Sequence, residues 1–150
     1  MTSRLAHLGI AVLTLESAEE FYHRLGLPVA ERTVFPQEGL RLGFISSGGV
    51  AIELLEPLDP HSSLARFLNT RGPGVHHLAF EVPDIERALA RARRAGMDQI
   101  GERPRPGAHD TVVAFIHPAS ACGVLVELVQ RPGLQSLGKL VPPTEALGPA

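Results

Sequence analysis

The chain is 150 residues long, with 44% hydrophobic and 20% charged residues, enough for one domain with a buried core and not the composition of a disordered protein. A formal net charge of −2, no Trp and one Tyr give no case for nucleic acid, and no apolar run approaches the ~20 residues of a membrane span. The single Cys122 can form neither an intramolecular disulfide nor a thiolate metal site; with no signal peptide before the first patterned residues, the expected setting is cytoplasmic.

In chain order, His7–Val12 has the pattern of a short apolar strand, followed by a helix pattern that stops at Gly26, with Ser17 as a weak N-cap candidate. Leu40–Ile45 and Gly49–Leu55 read as strands. In the connector after Pro57, residues 62–70 predict a short helix with Leu64, Phe67 and Leu68 on one face. Then the chain repeats itself. Residues 77–97 align without a gap on residues 7–27 at an offset of 70 (77 − 7), Asp84 being the N-cap and Gly96 the stop. Thr111–Ile116 matches Leu40–Ile45, and Gly123–Val129 matches Gly49–Leu55.

Each copy thus reads strand, helix, then two or three strands. The expected fold class is α+β, with the two copies sharing one sheet surface. The domain covers 1–131: module one about 4–58, a connector 59–73, and module two about 74–131. A flexible tail follows over 132–150, rich in Pro, Gly and Leu without period.

Seven His are many for this length, and two of them, His7 and His77, lie one repeat apart. Strand alternation puts His7, Gly9 and Ala11 on one face and Leu8, Ile10 and Val12 on the helix-facing one, so the His face carries small residues and free volume. His77, Ala79 and Glu81 repeat the arrangement, and His76 is expected to face away. Glu53 and Glu127 each interrupt an apolar strand at equivalent points, an expensive placement unless paired or metal-bound. A lone buried His is more often a hydrogen-bonded core residue, and a lone strand Glu an exposed one. Four such groups at repeat-equivalent positions instead suit a divalent cation held by His7, Glu53, His77 and Glu127, with two octahedral positions left for substrate. Of the other His, only His109 is placed near a site.

The segments HLGIAV (7–12), AIELLEPL (51–58), GVHHLAFEVPDIERAL (74–89), RPGAHDTVVAFIHP (105–118) and GVLVELVQ (123–130) resemble the vicinal oxygen chelate (glyoxalase-like) superfamily, and within it the methylmalonyl-CoA epimerase family. The resemblance implies paired βαβββ modules forming a curved mixed sheet around a metal site, and the same four ligands. It also implies a metal-dependent isomerase that interconverts (2R)- and (2S)-methylmalonyl-CoA by removing and returning the α-proton through a metal-stabilised enolate, a step of propionate metabolism. Co²⁺ is the metal it favours; Mn²⁺, Ni²⁺, Fe²⁺ or Zn²⁺ are compatible with the ligand types. The expected partners are an acyl-CoA substrate and a second copy of the chain, with no membrane.

Inversion needs a base on each face of the planar intermediate. Glu127 is one candidate, as ligand and base together. The family's second carboxylate lies in a Pro-Glu-Gln-Gly segment, where this chain has Pro36-Gln37-Glu38-Gly39. In an extended segment that exchange flips the side chain to the other face. Either the backbone shifts and Glu38 serves, or the site has lost this base; Glu38 is the expectation. Arg105 and Arg71, together with His109, are the residues expected to meet the substrate, with Arg103 a further basic candidate. Two other readings compete. One is another metal-dependent enzyme of the superfamily, a glyoxalase-type isomerase or a ring-cleaving dioxygenase, of which the dioxygenase, on two His and one Glu, has no use for a fourth ligand that is a second carboxylate. A metal-free resistance-type binding module has no reason to keep any of the four.

Overall fold

The computed structural model describes residues 3–133. The expected tail over 132–150 therefore lies, from residue 134 on, outside the described residues. The elements are β1 (Arg4–Ala11), α1 (Leu15–Arg24), β2 (Glu31–Phe35), β3 (Leu40–Ser47), β4 (Val50–Pro57), α2 (Ser63–Arg71), β5 (Gly74–Glu81), α3 (Ile85–Arg94), β6 (Gln99–Pro106), β7 (Val112–Ile116) and β8 (Leu125–Gln130). The class is α+β, and each copy of the repeat contributes three strands after its helix rather than two.

The described residues pack as two compact units, one of residues 6–78 and one of residues 79–133 together with residues 3–5. In the first unit the strands lie in the order β2-β3-β4-β1-β5. β1 and β4 run parallel, with His7 opposite Ala51 and Gly9 opposite Glu53; β3 is antiparallel to both β2 and β4. In the second unit the order is β5-β8-β7-β6, with β7 antiparallel to both neighbours.

Helix starts follow the repeat. Asp84 caps α3 by accepting from the Arg87 N–H, as the sequence predicts. The cap of α1 is Thr14 and not Ser17: Thr14 accepts from the Ser17 N–H and is the residue 70 positions before Asp84. Ser17 lies inside the first turn, where its own N–H is the donor being satisfied. A further acceptor repeats as well. The Glu56 side chain, at the end of β4, takes the Leu15 N–H at 2.7 Å, and Gln130, at the end of β8, takes the Ile85 N–H at 2.8 Å. Glu56 also binds Arg41, which bridges on to Glu16. Those two carboxylates raise the Arg41 pKa, and Arg41 in turn lowers that of Glu16.

The first unit has apolar packing on both faces of its sheet. Val12, Leu15, Ile45 and Leu54 form one cluster beneath α1. Ala11, Leu42, Leu55, Leu64 and Leu68 form another, into which α2 inserts. The sequence places α2 within a residue of its true span and names its buried face, but it treats the Ala11 face as open. The connector helix closes that end, because Leu64 and Leu68 need an apolar surface and β4 offers Leu55. In the second unit Val82, Ile85, Leu89, Ala92, Ala114 and Ile116 form the core beneath α3. Each fully buried Leu contributes ~1.5–3 kcal/mol through removal of its surface from water.

Candidate metal centre

Three of the four sequence-predicted ligands meet in the first unit. β1 carries His7, β4 carries Glu53 and β5 carries His77. The His7 Nε2 and His77 Nε2 atoms are 2.9 Å apart, and Glu53 Oε2 lies 3.5 Å from the former and 3.4 Å from the latter. His77 is 3% exposed and Glu53 is 6% exposed. Donor atoms about 2.0–2.2 Å from one cation sit roughly 3.0–3.5 Å from each other, so these three atoms already have the mutual spacing of neighbouring ligands. Two imidazoles and a carboxylate, with His77 and Glu53 buried and His7 half-buried, fit a divalent metal by donor chemistry as well.

Glu127 belongs to the second unit, where it is 7% exposed on β8. The repeat shows in its surroundings. Glu53 is paired across the ladder with Phe44, and Glu127 with Phe115, so each carboxylate stands beside a Phe on the neighbouring strand.

The space over Gly9 is not free volume. A Cβ on Gly9 would lie 2.2 Å from His77 Cε1, 2.3 Å from Nδ1 and 2.7 Å from Nε2: the imidazole of His77 occupies the place a side chain would take. The small residue makes room for the His77 ring rather than leaving a cavity. His76 also departs from expectation. Its ring does not turn away: His76 Nδ1 is 3.0 Å from His77 Nδ1, and the rings stand at 87°. Alternation fixes the direction of a Cβ, not of the ring tip two bonds further on. Phe67 of α2 stands edge-on to His76 at 4.9 Å, with the Arg71 guanidinium over the Phe67 ring. The His-His doublet was the signal for this contact, and alternation concealed it.

The remaining predicted residues are exposed. Glu38 is exposed in the turn Pro36–Gly39 that joins β2 to β3. Its N–H donates to the Phe35 carbonyl, and Gly39 has φ +61°. The segment is a tight turn and not extended chain, so strand parity does not decide where Glu38 points; Gln37 and Glu38 are both exposed there. Among the described contacts none joins Glu38 to His7, Glu53 or His77. Arg71 is exposed at the end of α2. In the second unit Arg105 is exposed on β6 and lies over Phe115, the neighbour of Glu127, at 5.0 Å; Arg103 is exposed on the same strand. His109 is exposed with φ 56°, and Asp110 follows at φ 57°. Two consecutive left-handed non-Gly residues are uncommon; they are held by a closed turn in which the Gly107 N–H binds the Thr111 carbonyl and the buried Thr111 hydroxyl donates to the Ala108 carbonyl.

The family model for the glyoxalase/bleomycin resistance protein/dioxygenase superfamily matches residues 6–115. The chain is 42% identical over 134 residues to the ethylmalonyl-CoA/methylmalonyl-CoA epimerase of Cereibacter sphaeroides, covering 87% of this chain and 99% of that protein. It is 39% identical over 129 residues to the human mitochondrial methylmalonyl-CoA epimerase, covering 85% and 73%. The chain belongs to the methylmalonyl-CoA epimerase family of this superfamily. A solved methylmalonyl-CoA epimerase in complex with methylmalonyl-CoA and NH₄⁺ superposes with a TM-score of 0.81 at 32% identity, covering 89% of this chain and 98% of that one. The α+β fold is therefore that of the vicinal oxygen chelate superfamily, and the chain is an isomerase of the epimerase type. No helix among the described residues is long and apolar enough to cross a membrane.

Proposed function

We propose that the protein interconverts (2R)- and (2S)-methylmalonyl-CoA with a divalent metal as cofactor. The observation that carries the reading is the convergence of half-buried His7 with buried His77 and Glu53 in a chain whose family acts on such thioesters. His7, Glu53, His77 and Glu127 would hold the ion, Co²⁺ being favoured over Mn²⁺, Ni²⁺, Fe²⁺ or Zn²⁺. When bound, the cation supplies Lewis-acid stabilisation of the oxyanion that develops as the α-proton leaves.

The α-carbon lies between a thioester carbonyl and a carboxylate, so loss of its proton gives an enolate that is planar at that carbon. Inversion requires that one group take the proton from one face and another return it from the opposite face. In this reading Glu127 serves one face and Glu38 the other. Glu127 is buried on β8, and Glu38 is exposed in the turn between β2 and β3. Arg71, Arg105 and His109 meet the acyl-CoA. The functional body is one domain over residues 1–131, with modules 4–58 and 74–131 joined by the connector 59–73. The working form is a cytoplasmic homodimer serving propionate metabolism.

The test is incubation with methylmalonyl-CoA of one configuration in D₂O, with Co²⁺ and, in parallel, after exhaustive chelation. Deuterium at the α-carbon and loss of optical purity are expected with Co²⁺, and neither after chelation. Absence of exchange with Co²⁺ overturns the epimerase reading. Undiminished exchange after chelation overturns the metal dependence.

A further inference from the structure

His77 can act as a ligand through Nε2 only if the proton of its neutral ring sits on Nδ1. A buried Nδ1–H needs an acceptor, since an unsatisfied donor at a site 3% exposed is costly. The atom that meets it is His76 Nδ1, at 3.0 Å. On the other side of the ring, His77 Nε2 faces His7 Nε2 and Glu53 Oε2. The His76 ring is itself held in place: Phe67 stands edge-on to it from α2, an element that supplies no ligand.

We propose that His76 is a positioning residue, which accepts the Nδ1–H of His77 and so fixes the tautomer and ring orientation that turn Nε2 toward the metal, with Phe67 as its backing. The inference rests on the metal-centre reading and adds to it a residue that binds neither metal nor substrate. Partners that orient a ligating imidazole in this way are worth ~10–100-fold in metal affinity. His76 holds its own proton on Nε2, which leaves its Nδ1 lone pair for His77. The connector helix thereby affects the metal site through two ring contacts, Phe67 to His76 and His76 to His77.

The experiment uses the full-length metal-free chain and Co²⁺ alone as probe. H76F keeps a ring against Phe67 but offers no acceptor. H76N places a side-chain oxygen close to where Nδ1 stood. Co²⁺ affinity is measured by titration, and the His77 tautomer is read from imidazole ¹⁵N chemical shifts before metal is added. The expected result is a ~10–100-fold weaker Co²⁺ affinity in H76F and recovery to within about threefold of wild type in H76N. The His77 proton should sit on Nδ1 in wild type and H76N, and be shared between the two nitrogens in H76F. H76L serves the same purpose if H76F does not fold. Wild-type affinity in a folded H76F or H76L, or an H76N as weak as H76F, overturns the proposal. If the wild type binds no Co²⁺, the metal reading fails; the tautomer measurement, which needs no metal, still decides whether His76 sets the ring of His77.

Discussion

Gly9→Ala tests the geometry of the centre with a single methyl group. The added Cβ would lie 2.2–2.7 Å from three atoms of the His77 imidazole. Carbon–carbon contacts are comfortable only from about 3.5 Å, so the ring must retreat by more than ~1 Å. It has little room to do so, being bounded by His76 at 3.0 Å on one side and His7 at 2.9 Å on the other. Metal–nitrogen distances tolerate about 0.2 Å, so a shift of this size removes His77 as a ligand. The stability cost is smaller: overpacking costs roughly 1–3 kcal/mol, and replacing a strand Gly by Ala returns roughly 0.5–1. Folded G9A should therefore lose at least ~100-fold in Co²⁺ affinity and no more than about 2.5 kcal/mol of stability. Calorimetric titration of the metal-free protein and urea unfolding measure the two quantities. A folded G9A that binds Co²⁺ within about threefold of wild type would refute the claim that this glycine exists to seat the imidazole.

Three further outcomes are expected. Glu38→Gln should lower turnover by about 10²–10⁴-fold if Glu38 is the second base, with exchange of the α-proton retained from one epimer only; unchanged turnover of both epimers removes it from the mechanism. Glu56→Ala strips the Leu15 N–H of its acceptor and leaves Arg41 with Glu16 alone, and should cost about 1–2 kcal/mol in urea unfolding, whereas Glu56→Gln, which copies Gln130, should recover the part due to the N–H. Glu81 has its carboxyl held below the ordinary value of 4.5: burial pushes it up, but hydrogen bonds from Arg131 and Arg4 outweigh that. A depressed folded-state pKa contributes stability that is present above pH 4.5 and lost as pH falls through the lower value. The difference between wild type and Glu81→Gln in unfolding free energy should be under ~1 kcal/mol, because the arginines are exposed, and should vanish toward low pH; a difference independent of pH contradicts the ion-pair account.

The sequence alone determined the α+β class, the repeat at an offset of 70, the cap at Asp84, the connector helix, and the meeting of His7 with His77. These are legible because they rest on periodicities written along the chain: strand alternation, helical spacing, and the recurrence of a His and a Glu at matched points. Tertiary structure decided what those periodicities cannot encode. That Gly9 is small for the sake of His77 depends on a ring arriving from β5, 68 residues on (77 − 9). That His76 bends to His77 depends on ring torsions and on Phe67 of α2, which strand parity ignores. Thr14 took the cap from Ser17 because the turn into α1 fixes which N–H lacks a partner. At Glu38, parity gave no answer because the segment is a turn and not a strand. Local pattern fixes which face a backbone presents; which side chain fills the space in front of that face is a property of packing between elements distant in sequence.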